Sequence, residues 1–286
     1  MKELKKYDLK TKHGLELEVV SLESLTQNSI DQISIPHRVG FHQVYFFGKD
    51  SNGFVEINFE KIPIQEHALL FVPDNVICNF YVDSNYTGSV IIFSTLFTQL
   101  NGRGADKILK SPLFRRFIPP KLTLADTPRI DALIDEMKAE MEMDITKNKH
   151  GLLLNYLESL VLISERSLNV PIQTVQQTTF QRIVTNYYDL LNTYFSTQKQ
   201  VSFYCDQLNI SLHELNQATA ALTGYTAKKI IQQKILLEAQ ALLAYSDFSI
   251  KEICFQLGIN EPSYFTLLFK NNLQITPSAF RETYRR

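Results

Sequence analysis

The chain has 286 residues, of which 44% are hydrophobic and 21% charged, a size that predicts about two domains, each able to bury its own core. No apolar run reaches the ~18 residues of a membrane span, and the charged start from Met1 to Lys6 has no apolar segment behind it, so neither a membrane protein nor a secretory leader is expected. Cys78, Cys205 and Cys254 are odd in number and sit inside apolar patterns, which excludes a disulfide scaffold and fits reduced core residues in a cytoplasmic protein.

Residues 1–95 read as β structure. Short runs rich in β-branched and aromatic residues occur at Leu15–Val19, Val44–Phe47, Phe54–Phe59, Ala68–Val72 and Val90–Phe93. Ser51-Asn52-Gly53 carries the Asn-Gly signal of a tight hairpin between two of them, and Val72-Pro73-Asp74-Asn75 marks another turn. Many short strands at close spacing predict a barrel or sandwich. Residues 96–126 read as an irregular, solvated loop with scattered cations (Arg103, Lys107, Lys110, Arg115, Arg116, Lys121).

Two amphipathic helices follow, one with an apolar stripe at Ile130, Leu133, Ile134, Met137 and Met141, the other at Leu153, Leu157, Leu160, Val161 and Ser164. Residues 169–179 are polar and contain Pro171, the composition of a linker.

Beyond the linker the chain repeats itself. Val201, Tyr204, Cys205, Leu208 and Ile210 align on Ile250, Ile253, Cys254, Leu257 and Ile259 with a shift of 49. With the register slipped by one, Leu215, Thr219, Thr223, Tyr225, Thr226 and Ile230 correspond to Phe265, Phe269, Leu273, Ile275, Thr276 and Phe280. Each copy reads as a short amphipathic helix, a tight turn and a second helix. The second helices start sharply: Ser211 to Glu214 has capping-box spacing, and Asn260 stands as a cap ahead of Pro262. Residues Thr226–Tyr245 between the copies form an apolar helix. About 18 residues at ~1.5 Å make a rod of ~27 Å, close to the ~34 Å between successive major grooves on one face of DNA.

The second copy reads Leu257-Gly258-Ile259-Asn260-Glu261-Pro262-Ser263-Tyr264-Phe265, then Phe269-Lys270, then Thr276-Pro277-Ser278-Ala279-Phe280-Arg281. On this long, ordered signature, residues 180–286 resemble the DNA-binding domain of the AraC/XylS family of bacterial transcription regulators. The resemblance implies an α+β multidomain protein: a cupin-like N-terminal β-barrel as sensor with dimerisation helices (1–168), a linker (169–179) and an all-α double helix-turn-helix domain (180–286). It implies double-stranded DNA, RNA polymerase and a small-molecule effector as partners, a homodimer in which the two stripes meet their counterparts, no cofactor, and action as an activator or a repressor. Pro36 to His42 and Phe71 to Cys78 look like the two cupin motifs, but Val39 and Cys78 stand where enzymatic cupins carry histidines, which leaves His37 alone in place. No metal site is expected, because one needs three or more converging ligands. His37, Phe41 and Tyr45 are the candidates for an effector pocket.

Carried over position by position, the base-contacting residues are His213, Asn216 and Gln217 in the first copy. In the second they are Pro262, Ser263, Thr266 and Leu267, with Lys270 on the phosphate backbone. Asn and Gln suit adenine, which they bind through two hydrogen bonds. Ala220 and Ala221 replace a common lysine pair, Glu214 a usual aromatic, and Leu267 a basic or polar residue. From residue 179 onward ten Lys and Arg face eight Asp and Glu, a small basic excess for a DNA-binding domain. Modest affinity per protomer and a shallow salt dependence are therefore expected. Two rival readings are a metal-dependent cupin enzyme fused to a helical tail and a helical interaction module that has lost DNA binding. No nucleophile–base pair or phosphate-binding glycine loop supports other chemistry.

Overall fold

The computed structural model describes residues 5–9, 15–99, 108–109, 111–114, 121–123, 127–144, 148–166 and 175–284. They fall into two compact units, Lys5–Pro171 and Ile172–Arg286.

The first unit contains two five-stranded sheets. One has β1 (Lys5–Tyr7), β3 (His37–Val39), β8 (Ile77–Phe80), β5 (Phe54–Ile57) and β6 (Glu60–Pro63), in that spatial order. The other runs β10 (Lys121–Thr123), β7 (Ala68–Val72), β4 (His42–Phe47), β9 (Gly88–Phe93) and β2 (Leu17–Ser21). Among the described residues they are separate ladders packed face to face, so the cupin-like layout is present there as two sheets and not as one closed ring. Strand alternation divides the second sheet between two cores. Tyr45, Phe47, Leu70, Val72 and Val90 point into the inter-sheet core with Val39, Val55, Ile57, Cys78 and Phe80. Their neighbours Val44, Phe46, Leu69, Phe71, Ile91 and Phe93 point the other way. This is why every residue of β4 and β7 is buried, and why those strands read as continuous apolar runs.

The opposite core is closed by the short α2 (Thr95–Gln99), through Phe97, and by α3 (Thr127–Glu142) and α4 (Lys149–Arg166). Ile130, Ile134, Met137 and Met141 of α3 and Leu153, Leu157, Leu160 and Val161 of α4 all pack into it. The stripes expected at a dimer interface are thus spent on the unit's own sheet. Lys149, fully buried, donates to the carbonyls of Met141 and Met143 and so caps the end of α3.

Three sequence expectations need correction. Residues 1–95 are not all β: α1 (Leu22–Ile33) opens on Ser21, whose hydroxyl accepts from the Ser24 N–H, and buries Leu22 and Ile33 in the inter-sheet core. The Asn-Gly pair is no hairpin, because β4 and β5 lie in different sheets. Gly53 (φ 102°) instead passes against Ser84, where the chain crosses between sheets. The hairpin sits within the run read as one strand: β5 ends at Ile57, and Asn58 and Phe59 (φ 52° and 67°) turn the chain into β6, as both central residues of a type I′ turn must. The cations at 103, 107, 110, 115 and 116 lie outside the described residues.

The second unit is helical: α5 (Val175–Tyr194), α6 (Val201–Leu208), α7 (Leu212–Thr223), α8 (Ala227–Tyr245), α9 (Ile250–Gln256), α10 (Pro262–Leu273) and α11 (Pro277–Tyr284). The expected linker 169–179 lies outside the described residues up to 174, and its last five residues are already in α5. The α8 helix is the axis of the unit, with ten of its 19 residues buried. Its first turn is held to α5 by the Tyr187 hydroxyl, which donates to the Ala227 carbonyl at 2.7 Å. Burial pushes the Tyr187 phenol up, so the hydroxyl keeps its proton for that bond.

Candidate nucleic-acid interface

The internal repeat is a structural one. In the first turn the Ile210 N–H reaches back to the Cys205 carbonyl at 3.1 Å, and in the second the Ile259 N–H reaches the Cys254 carbonyl at 2.8 Å. Both close a helix end through a left-handed residue, Asn209 (φ 53°) and Gly258 (φ 64°). Cys205 and Cys254 are buried free thiols, as their place in the apolar stripes predicts.

Each unit then launches its second helix. Helix α7 is entered through a complete capping box: the Ser211 hydroxyl accepts from the Glu214 N–H, and the Glu214 carboxylate accepts from the Ser211 N–H at 2.8 Å. Helix α10 starts differently, with Glu261 as N-cap and Pro262 at the first helical position. Asn260 is therefore one residue short of the cap role expected of it; the extra residue is the source of the one-step slip in the repeat. Helices α7 and α10 both end on a left-handed residue, Gly224 and Gln274, and both pass to a threonine cap, Thr226 and Thr276.

Along α7 and α10 burial alternates identically: Leu215, Ala218 and Thr219 face inward, as do Phe265, Leu268 and Phe269. His213 and Gln217 are exposed, as are Ser263, Leu267 and Lys270. Pro262 is half-buried in the first turn of α10. Two candidate base readers are otherwise engaged. Asn216, half-buried, turns its amide oxygen to the Ala227 N–H at 3.1 Å and so caps α8. Its counterpart Thr266 donates its hydroxyl to the Pro262 carbonyl at 2.9 Å. Both are tied to backbone, Asn216 to the first residue of the next helix and Thr266 to the preceding turn of its own. Two exposed side chains escaped the sequence reading: Leu212 at the first position of α7, and Tyr264, which lies inside the family-like signature one helical turn before Leu267.

Several cations counted in this unit have internal duties. Lys234 is buried, pairs with Glu238 at 2.9 Å and lies over the Phe195 ring. Lys199 donates to the carbonyls of Phe195 and Ser196, and its burial lowers its pKa. Lys229 donates to Asn272 at 2.7 Å, and Arg281 to the Phe248 carbonyl. Exposed positive charge near the second helices is therefore smaller than the sequence count, with Lys228, Lys251 and Lys270 at the surface.

In the first unit the candidate effector residues share a region. Phe41 and Tyr45 belong to the inter-sheet core, and His37 is on the face of β3 that also carries Val39. The Tyr45 hydroxyl donates to Gln43, both groups being buried, and burial raises the Tyr45 phenol well above its ordinary value. His37 has its Nδ1 at 3.0 Å from the Ile35 carbonyl and meets the Tyr7 ring edge-on. Cys78 is paired opposite His37, its thiol pushed up to about 12 by burial. Val39 offers no donor atom, so this trio does not supply the three converging ligands of a cupin metal site. Among the described residues no group of three or more His, Cys, Asp or Glu converges.

Two helix-turn-helix units, each presenting the outer face of its second helix, define a double helix-turn-helix protein. Residues 204–283 match the family described as "Helix-turn-helix domain". The chain is 30% identical over 108 residues to the HTH-type transcriptional activator RhaR of Salmonella dublin. That match covers 38% of this chain and spans only 37% of the relative's length. Among solved structures, the C-terminal domain of the response regulator yesN from Fusobacterium nucleatum is similar over 33% of this chain and 93% of its own, with 26% identity and a TM-score of 0.32. ToxT from Vibrio cholerae is similar over 95% of this chain and 100% of its own, with 12% identity and a TM-score of 0.44. Residues 204–283 of the C-terminal unit thus carry a helix-turn-helix domain, similar in sequence to that of an activator, in keeping with the AraC/XylS resemblance. Among the described residues no helix is long and apolar enough to cross a membrane.

Proposed function

We propose that the chain is a sequence-specific, double-stranded-DNA-binding transcription regulator of the cytoplasm and not an enzyme. The observation that carries this is the repeated geometry of α7 and α10, two outward helices built on one scaffold and joined by a rod of ~28 Å. His213 and Gln217 read bases from α7; Pro262, Ser263 and Leu267 lie at bases from α10, and Lys270 meets a phosphate. Asn216 caps the start of α8 and Thr266 bonds the preceding turn of α10, so both act as supports rather than base readers. Activation through RNA polymerase is the outcome that the likeness to an activator favours.

The division into a sensor at 1–168, a linker at 169–179 and a DNA-binding domain at 180–286 belongs to the same proposal. A small organic effector binds beside His37, Phe41 and Tyr45, and it shifts DNA occupancy only if it binds the two domain arrangements with different affinity. The protein acts as a homodimer on two half-sites. Since the inner stripes of α3 and α4 are used up, the dimer contact falls on the outer face of α4, where Leu152 and Leu162 are exposed.

Fluorescence anisotropy of the full chain against labelled fragments upstream of its own gene, with random duplex alongside, tests the reading. One fragment should bind preferentially. With Lys228, Lys251 and Lys270 as the phosphate contacts, log K should fall with log salt at a slope of about −3 per protomer, from about −0.9 for each contact. Equal binding to every fragment, abolished by salt, would favour the second reading, a protein-interaction module. That reading draws on Phe255 of α9, which is 82% exposed.

A further inference from the structure

The outward faces of α7 and α10 differ in chemistry although their scaffolds are alike. Apart from Leu212 at its first position, 54% exposed, helix α7 shows solvent an imidazole and a carboxamide, His213 and Gln217. At the position equivalent to Gln217, helix α10 shows Leu267, 58% exposed, with Tyr264, 54% exposed, one turn before it. The polar alternatives on that face are reduced. Pro262 has no N–H to give, and the Thr266 hydroxyl is committed to the Pro262 carbonyl. Ser263 and Lys270 lie one helical turn to either side of Leu267. The middle of the face is hydrocarbon.

A helix in the major groove meets one apolar group on base edges, the C5-methyl of thymine. An exposed leucine there gains little from phosphates or from base amides and carbonyls, but it gains by removing a methyl group from water. Few surface cations also leave more of the binding energy to such contacts.

We infer that the second unit reads thymine methyl groups, with Leu267 as the specificity-determining contact and Tyr264 beside it, while the first unit reads its half of the site by hydrogen bonds from His213 and Gln217. This rests on the DNA-binding reading. The second unit then prefers A·T pairs in the orientation that places thymine under Leu267 and tolerates any replacement that keeps the methyl.

Deoxyuridine isolates the effect, since it differs from thymidine only by that methyl. Full-length protein is first used to select binders from a random 40-base-pair duplex library, and the winning duplex is then made with thymidine or deoxyuridine at each position in turn. At one or two positions under α10, deoxyuridine should weaken binding about fourfold for each methyl lost, as burial of one such group implies. Under α7 the change should be less than twofold. Leu267→Ala should weaken binding to the thymidine duplex and erase the thymidine–deoxyuridine difference at those positions, while circular dichroism shows the fold intact, as an exposed site permits. A duplex that is selected and preferred over random DNA, yet bound equally with thymidine or deoxyuridine throughout, overturns the methyl reading and leaves the regulator reading standing. So does a methyl effect that survives in Leu267→Ala. A library from which nothing is enriched overturns the DNA-binding reading and this inference with it.

Discussion

The two helix-turn-helix units share a buried skeleton and differ in almost everything that faces solvent. Cys205 and Cys254 accept the same turn-closing bond, and α7 and α10 bury the same three positions. Yet the residue that closes each turn is constrained in a different way. Asn209 and Gly258 have nearly the same left-handed φ, but a Cβ on Gly258 would lie 1.8 Å from the Ser196 carbonyl oxygen and 2.9 Å from the Lys199 Nζ. The first turn needs only a residue that tolerates positive φ, which Asn does. The second must let a neighbouring backbone approach, which only glycine allows. A repeat conserves geometry, and each copy then pays separately for its surroundings.

Exchanging the two turn residues is the strongest way to break this comparison. Gly258→Asn should destabilise the helical unit by about 3 kcal/mol or more, because the obstacle is backbone and not the end of a side chain. Asn209→Gly should change stability by no more than about 1 kcal/mol. Urea denaturation of both variants, followed by far-ultraviolet circular dichroism, measures the difference; similar losses for the two would show that φ alone governs both turns.

The reading surface gives the next effect. Gln217→Ala should cost about 1–3 kcal/mol on the selected DNA and relax preference at one base position, whereas Lys270→Ala should weaken all sequences alike and flatten the salt slope by about one unit. Anisotropy on matched and mismatched duplexes separates the two. Equal losses for Gln217→Ala on specific and random DNA would remove it from the base-reading set.

Asn216→Ala sharpens the division between readers and supports. Losing the bond to the Ala227 N–H should lower stability by about 1 kcal/mol, the ordinary cost of a helix cap, with no change in which base pair is preferred. A shift in the selected sequence at full stability would return Asn216 to the interface.

This division marks how far the sequence could be read. The repeat, the apolar stripes and the capping box at Ser211 were legible because they depend on spacing along one helix. The role of Asn216 was not, since its partner lies in the next helix and an asparagine on an outer helical face looks the same whether it meets a base or a backbone N–H. The sheets were less legible for a related reason. Phe54–Phe59 has uninterrupted strand character, and only the pairing of β5 with β6 reveals that Asn58 and Phe59 turn the chain. Asn52-Gly53 carries a hairpin signal and is used for a crossing, because β4 finds its partners in β7 and β9, distant in sequence. The stripes of α3 and α4 were correctly seen as apolar, but periodicity cannot say whether a stripe meets its own sheet or a second chain.

The smallest effect concerns helix entry. The first unit places its capping box on α7 (Ser211, Glu214), and the second places one on α9 (Ser249, Glu252), leaving α10 with none. Hydrogen bonds from the Ser211 hydroxyl and N–H hold the Glu214 carboxyl below its ordinary value, and those from the Ser249 N–H and hydroxyl do the same for Glu252. A carboxyl depressed in the folded state contributes stability above its unfolded value and loses it as pH falls through the folded one. Both boxes should therefore hold at neutral pH and open as pH drops below the usual carboxylate range. Amide-exchange protection factors compared at pH 7 and pH 3 should fall in the first turns of α7 and α9 and much less in that of α10, where Pro262 fixes the backbone without a titrating partner. Glu214→Gln should remove the pH dependence at α7 alone. Equal loss at all three helix starts would mean that acid loosens the whole unit and that the boxes are not what titrates.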